Sequence, residues 1–208
     1  MNRIAIIGQS AFGAEVASEI SKIENVKIVG IITPSNQDKD PLYQYGIKEK
    51  LNVLRFSKLK SKEAINIFFE LNVDLLVMAY VTDIVPLEII NNPSKGTIQY
   101  HPSLLPAHRG PSSINWAVIN GDKKTGITIF WPDEGLDTGP ILLQEEVEIS
   151  NHDTTGSLYF NKLFPVGVDS MIKSIKLVLK NKAPKICLLY TSPSPRDLST
   201  SRMPSSAW

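Results

Sequence analysis

The chain has 208 residues, 42% hydrophobic and 21% charged, the balance of one soluble globular domain large enough to bury a core without disulfides. A formal net charge of +1 excludes a global field aimed at nucleic acid or an anionic membrane, and a single cysteine, Cys187, forms no internal disulfide, which fits a reducing compartment. No apolar run approaches the roughly 18 residues of a transmembrane helix and the chain opens on a strand-like segment, so a cytoplasmic protein without a membrane partner is expected.

The first element is a buried strand, RIAIIG, turned by Gly8, and AFGAEVASEISKI follows with helical periodicity. VKIVGIIT reads as a second strand, PSNQDKDP (34–41) as a loop, and Leu42 to Glu49 as a short helix. LNVLRF holds a short third strand. SKEAINIFFELN is a helix with Ser61 as its N-cap. VDLLVMAY is apolar throughout, as central parallel strands are. PLEIINN is a short helix with Pro86 in its first turn, and GTIQYH is the next strand. SSINWAVING is a helix ended by Gly121, TGITIFWP and ILLQEEVEI are strands, and TTGSLYFNKLFPVGVDSMIKSIKLVLKN is mostly helical. The alternation predicts an α/β fold: a doubly wound, mostly parallel sheet with helices on both faces, built of βαβ units. Ligands in such sheets bind beyond the carboxyl ends of the strands.

From Ile186 the text changes to ICLLYTSPSPRDLSTSRMPSSAW, rich in Ser and Pro and without period. It reads as a disordered tail and resembles sequencing-adapter DNA translated as protein, so residues 1–185 are taken as the folded domain and 186–208 are set aside. That removes two arginines and one aspartate, and the remaining charges balance.

Three stretches invite a chemical reading. GQSAFG after the first strand hints at a dinucleotide loop, but Ser10 stands where the middle glycine belongs, and the second strand ends in Thr33 and Pro34 rather than an acid. Tight packing of helix against strand explains its glycines. In GTIQYHPSLLPAHRG, His101 closes a strand and runs into a loop stiffened by Pro102 and Pro106. A catalytic histidine needs such a mounting, because a displacement of about 1 Å can cost roughly a hundredfold in rate. In DEGLDTGPILLQ, acids and glycines crowd a loop between strands. Alone, a solvated acidic turn explains it as well. With His101 upstream across one helix and one strand, a βαβ step can bring Asp137 to the same sheet edge, and a His–Asp pair there is an acid/base couple. His108 reads as a loop residue, His152 as surface, and Trp116 and Trp131 as core. Arg109 either orients the loop or meets an anion, and Tyr80 either stacks on a ligand or packs at a strand end.

Together, HPSLLPAHRGPSSINWAVINGDKKTGITIFWPDEGLDTGPILLQ and its surroundings, from about Arg3 to Lys185, resemble the 10-formyltetrahydrofolate-dependent formyltransferase family. That family includes glycinamide ribonucleotide formyltransferase, methionyl-tRNA formyltransferase and the N-terminal hydrolase domain of 10-formyltetrahydrofolate dehydrogenase. The likeness is greatest to the hydrolase branch, through IIGQSAFGAEV, YHPSLLP, INW, GDKKTG, IFW and LYFNKLFP. The resemblance implies a Rossmann-like formyltransferase domain acting on 10-formyltetrahydrofolate, with no metal. It implies His101 and Asp137 as catalytic residues. It implies Asp83, Ile84 and Val85 lining the folate pocket, and Asp133, Glu134, Gly135 and Leu136 in the loop closing over the pteridine. Gln99 stands where many transferases of the family carry asparagine, and is expected as a secondary amide donor.

Formyl transfer or hydrolysis releasing tetrahydrofolate is therefore the expected activity. Methionyl-tRNA formylation and non-catalytic folate binding are the alternatives. The folate is the expected small-molecule partner. TPSNQDKDP carries one Lys and two Asp where a tRNA-reaching loop would be basic, so tRNA is not expected as a tight partner. A C-terminal domain beyond this chain is compatible with the resemblance.

Overall fold

The computed structural model describes residues 1–35 and 37–188. Its elements follow the order β1 (Asn2–Gly8), α1 (Ser10–Ser21), β2 (Val26–Pro34), α2 (Pro41–Lys48), β3 (Val53–Phe56), α3 (Lys62–Glu70) and β4 (Leu75–Ala79). Then come α4 (Leu87–Ile90), β5 (Thr97–His101), α5 (Ser113–Ile119), β6 (Lys124–Phe130), β7 (Ile141–Glu148), α6 (Thr155–Leu158) and α7 (Phe164–Leu179). The strands form one seven-stranded sheet in the order β3-β2-β1-β4-β5-β6-β7.

Strands β1 to β5 pair in parallel. β6 runs antiparallel to both β5 and β7, so the sheet is mostly parallel with one reversed strand. This corrects the βαβ step expected between His101 and Asp137. β6 sets Thr128 opposite His101 and Phe130 opposite Gln99, and Asp137 is reached through the connection that follows a reversed strand.

The apolar alternation of β1 divides the core. Ile4 and Ile6 join Phe12, Val16 and Ile20 of α1 and Met171 and Ile175 of α7 in one cluster. Ala5 and Ile7 join Phe68 of α3 and Ile89 of α4 in another. Burial on both faces is why the central strands read as continuous hydrophobic runs. Gly8 lets β1 end against β4: a Cβ there would stand 2.1 Å from the carbonyl oxygen of Ala79.

Caps set the helix starts. The Ser61 hydroxyl accepts from the Ala64 amide at 3.2 Å, as the sequence predicts. Asp40 caps α2 through the amides of Leu42 and Tyr43, so that helix begins at Pro41. Pro86 is the cap of α4 rather than part of its first turn; its ψ of 150° is extended. The C-terminal helical stretch is divided by a π-helical turn, Tyr159–Leu163, just before Pro165 in the first turn of α7. Proline lacks the amide hydrogen and crowds the preceding turn, and a widened turn relieves both.

The tail expected from Ile186 begins packed. Ile186 forms an antiparallel bridge with Ile141 at the start of β7, with backbone hydrogen bonds of 2.8 and 2.9 Å. Leu188 is buried with Leu105 and Phe130. Residues 189–208 of that expected tail lie outside the described residues.

Candidate active site

His101 is the last residue of β5 and is only 6% exposed. The loop after it is braced by more than its prolines. The Thr128 hydroxyl of β6 donates to the Ser103 carbonyl at 2.7 Å and accepts from the Leu105 amide at 3.1 Å. Gln144 of β7 donates to the Leu105 carbonyl and to Thr128 Oγ1, both at 2.9 Å. Ser103 Oγ donates to the Ala107 carbonyl at 2.6 Å, and the Leu105–Pro106 peptide is cis. Thr128 and Gln144 carry no local sequence signal; the reversed pairing of β6 and β7 alone brings them under the loop.

The ring of His101 has two distinct edges. Nε2 donates to the His108 carbonyl at 2.8 Å. Nδ1 lies 3.4 Å from Oδ2 of Asp137, itself 6% exposed. Because a carbonyl can only accept, Nε2 carries the proton of the neutral ring and Nδ1 is the edge turned toward the carboxylate. Oδ2 of Asp137 also accepts from the Gly110 amide at 2.8 Å, which ties the loop after β5 to the loop between β6 and β7. Asp137 has φ 52°, in the left-handed region.

The DEGLDTG loop is stapled internally. Oδ1 of Asp133 accepts from the Gly135 amide at 3.0 Å and from the Thr138 hydroxyl at 2.5 Å. A Cβ on Gly135 would meet Thr138 Oγ1 at 2.0 Å, and one on Gly139 the Trp131 carbonyl oxygen at 1.7 Å. The glycines therefore allow the close approaches that set Asp137 inward while Asp133, Glu134, Gly135 and Leu136 face outward.

The remaining expected residues separate. Gln99 lies two residues before His101 on the same face of β5, half-buried, and its side chain makes no hydrogen bond among the described residues. Asp83 and Ile84 are exposed between β4 and α4, Ile84 at 85%, whereas Val85 is packed into the α3–α4 cluster. His108 is tied to Oδ2 of Asp122 at 2.6 Å through its Nε2. His152 is exposed. Trp131 is buried, but Trp116 is half-buried on the short helix α5, a correction to its placement in the core. Tyr80 stands at a strand end with φ 63° and is 39% exposed.

Burial holds the Tyr100 hydroxyl well above its ordinary pKa, and raises that of Tyr159 to about 12. Neither phenol is a base near neutrality. Among the described residues no group of three or more His, Cys, Asp or Glu is gathered as metal ligands, and no helix is long and apolar enough to cross a membrane. A nucleophile or carbonyl oxygen brought alongside Nδ1 of His101 and Oδ2 of Asp137, which are 3.4 Å apart, would meet an imidazole nitrogen and a buried carboxylate together, the pair that general acid/base chemistry needs.

Comparison with known proteins shows the family to which the chain belongs. A family model described as formyl transferase matches residues 2–172. The chain is 43% identical over 190 residues to mitochondrial 10-formyltetrahydrofolate dehydrogenase of Mus musculus, covering 88% of this chain and 20% of that protein. It is 36% identical over 184 residues to methionyl-tRNA formyltransferase of Acetivibrio thermocellus, covering 85% of this chain and 58% of that protein. The fold is also similar to the crystal structure of a formyltetrahydrofolate deformylase from Pseudomonas syringae, with a TM-score of 0.76 at 20% identity, over 86% of this chain and 62% of that one. The chain thus spans about a fifth of the length of the dehydrogenases it matches.

Proposed function

The chain belongs to the formyl transferase family, and on that premise we propose that it takes 10-formyltetrahydrofolate as formyl donor and releases tetrahydrofolate in the manner of a hydrolase. The observation that carries this reading is the buried pair of His101 and Asp137, 3.4 Å apart, at the carboxyl end of β5. The exposed apolar side chains of Ile84 and Leu136 sit on the two loops assigned to the folate, and offer its ring system an apolar rim.

The steps follow from the side chains. Water attacks the formyl carbon, and Asp137 accepts the proton it loses. The formyl oxygen becomes an oxyanion, which the Nδ1 edge of His101 stabilises when it carries a proton. Collapse of the intermediate breaks the bond to the folate nitrogen, which leaves with a proton delivered through the same pair. The products are formate and tetrahydrofolate. Gln99 lies one strand repeat below and supplies at most a secondary amide donor.

An amine on tRNA as acceptor is the reading suggested by the relative from Acetivibrio thermocellus. The segment from Thr33 to Pro41 argues against it: Asp40 is consumed in capping α2, Asp38 in an ion pair with Arg55, and Lys39 is the one basic residue there.

The test is a single-turnover assay of purified chain with 10-formyltetrahydrofolate, measuring tetrahydrofolate and formate. Equal amounts of both are expected. Folate bound without release would make this a binding protein, and release only in the presence of an amine would make it a transferase.

A further inference from the structure

The C-terminal end of α5 carries a chemistry that formyl release does not use. Asn120 and Gly121 are the one Asn-Gly pair in the sequence. Asparagine is thermolabile because the backbone nitrogen of the next residue can attack its side-chain carbonyl carbon. The attack needs a nitrogen with a hydrogen to lose and little bulk on the residue that carries it. After every other asparagine the next residue bears a side chain, and after Asn92 it is Pro93, whose nitrogen has no hydrogen.

The fold demands the glycine and leaves the asparagine open. α5 has seven residues and Asn120 is its C-cap. Gly121 turns the chain out of the helix at φ 66°, the left-handed conformation that glycine adopts without strain. A Cβ on Gly121 would meet nothing within 4 Å, so no neighbour screens this peptide. Asn120 is exposed, and its side chain makes no hydrogen bond among the described residues.

While the turn is closed the attack is withheld. The Gly121 amide donates to the Val118 carbonyl at 3.1 Å, and the Asp122 amide to the Ala117 carbonyl at 3.0 Å. The Asn120 ψ of −9° turns the Gly121 nitrogen away from the carbon it would attack. Opening the last turn of α5 releases both restraints, and a short helix opens most readily at its ends. The residue that follows gives the product its consequence. Asp122 holds the His108 ring, and the His108 carbonyl accepts from Nε2 of His101.

We propose that Asn120–Gly121 is a self-modification site, and that its conversion to isoaspartate detaches Asp122 from His108. The Gly121 nitrogen gives its proton to water and bonds to Cγ of Asn120. The Cγ–Nδ2 bond breaks, and Nδ2 leaves as ammonia. Water then opens the five-membered imide. Opening at Cγ leaves aspartate. Opening at the main-chain carbonyl leaves a chain that runs through Cγ, with an added backbone atom and a new carboxylate. One water enters and one ammonia leaves. The lengthened backbone cannot keep both amides on Ala117 and Val118, and the carboxylate stands at a helix end where unpaired carbonyls already concentrate negative charge. The modification needs neither folate nor His101; only its effect on rate rests on the formyl-release reading.

The experiment ages the full chain without folate beside Asn120→Gln, whose longer side chain would have to close a six-membered ring. Released ammonia, the mass of the tryptic peptide 110–123 and isoaspartyl groups labelled by a methyltransferase are followed. Residue 120 should convert several-fold faster than any other asparagine, and the ammonia and label should be lost in Asn120→Gln. In the converted chain the NMR signals of the His108 ring should shift, and single-turnover formyl release should fall about tenfold. Two results would overturn the proposal. Residue 120 lasting as long as the other asparagines would show that the turn stays shut. His108 ring signals unchanged in the converted chain would show that Asp122 does not move. Both are read without folate, so a fresh chain inactive in the formate assay would count against the formyl-release reading alone.

Discussion

Oδ2 of Asp122 holds Nε2 of His108 at 2.6 Å, and the carbonyl oxygen of that same His108 accepts a hydrogen bond from His101 Nε2 at 2.8 Å. Asp122 thus acts on His101 through the backbone of its neighbour. His108 has φ 51°, a left-handed conformation that a non-glycine residue keeps only when its surroundings hold it. The ring anchored to Asp122 is one such restraint, and it fixes which edge of His101 faces Asp137.

Releasing that anchor should loosen the alignment without emptying the pocket. Asp122→Ala is expected to slow formyl release several-fold, up to about tenfold, with folate affinity unchanged. Asp122→Asn should recover part of the loss, because its amide oxygen still accepts from His108. The measurement is single-turnover rate against separately measured binding; an equal loss in all variants, or a loss in affinity alone, would show Asp122 to be a fold residue only.

His101→Ala should retain folate binding while the rate of formyl release falls by about a hundredfold or more, the scale of an oxyanion donor or general acid. Asp137→Asn should behave alike, since an amide takes no proton from water; its contact with the Gly110 amide can survive through the amide oxygen. Gln99→Ala should cost much less. If His101→Ala abolishes binding and spares the chemical step, the histidine is a pocket wall and the mechanism fails.

The sequence exposed what local chemistry controls. The strand cores, the Ser61 cap, the glycine-shaped loop around Asp137 and the mounted His101 are written in residues close to one another. What it hid is long-range. The reversal of β6 leaves no mark in TGITIFWP, because a strand buried on both sides looks the same in either direction. That reversal is what places Thr128 and Gln144 beneath the loop after His101. Asp40 reads as an ordinary loop acid, yet it is buried between the heads of α1 and α2. Composition also misreads Ile186 and Leu188: the backbone pairing of the first and the burial of the second depend on where the edge of β7 happens to lie.

Acid should loosen the docking of the α6–α7 segment. The Asp153 carboxyl is held well below its usual pKa, first by the Lys162 ammonium at 2.6 Å and then by the Ser150 amide and the Ser157 hydroxyl. A carboxyl depressed in the folded state adds stability above its unfolded pKa, near 4, and that stability is lost as pH falls toward the folded value. Asp153→Asn should therefore melt below the parent at pH 7, and the gap between the two melting temperatures should begin to narrow as pH drops from about 4 toward 3 and close only well below that. A gap that stays constant across that range would show that the ionised form of Asp153 contributes nothing.

The last described residues give a sharper stability test, because composition and structure assign them opposite roles. β7 is the edge of the sheet, and Ile186 pairs with it at Ile141 through two backbone hydrogen bonds. Leu188, 7% exposed, packs on Leu105 and Phe130. Leu105 lies in the loop after His101 and is the residue whose amide and carbonyl are held by Thr128 and Gln144. A chain ending at Leu188 should match the full chain in melting temperature. A chain ending at Lys185 exposes an apolar pocket and frees the start of β7, and should lose about 1–3 kcal/mol, the worth of a buried leucine with its backbone pairing. It should also release formyl more slowly, since the loop that mounts His101 loses one of its walls. Leu188→Ala in the full chain separates the two contributions: it keeps the Ile186 bridge and removes only the packing. Equal stability of the two truncated chains would show the bridge and the leucine to be idle, and the fold would then end where the composition changes.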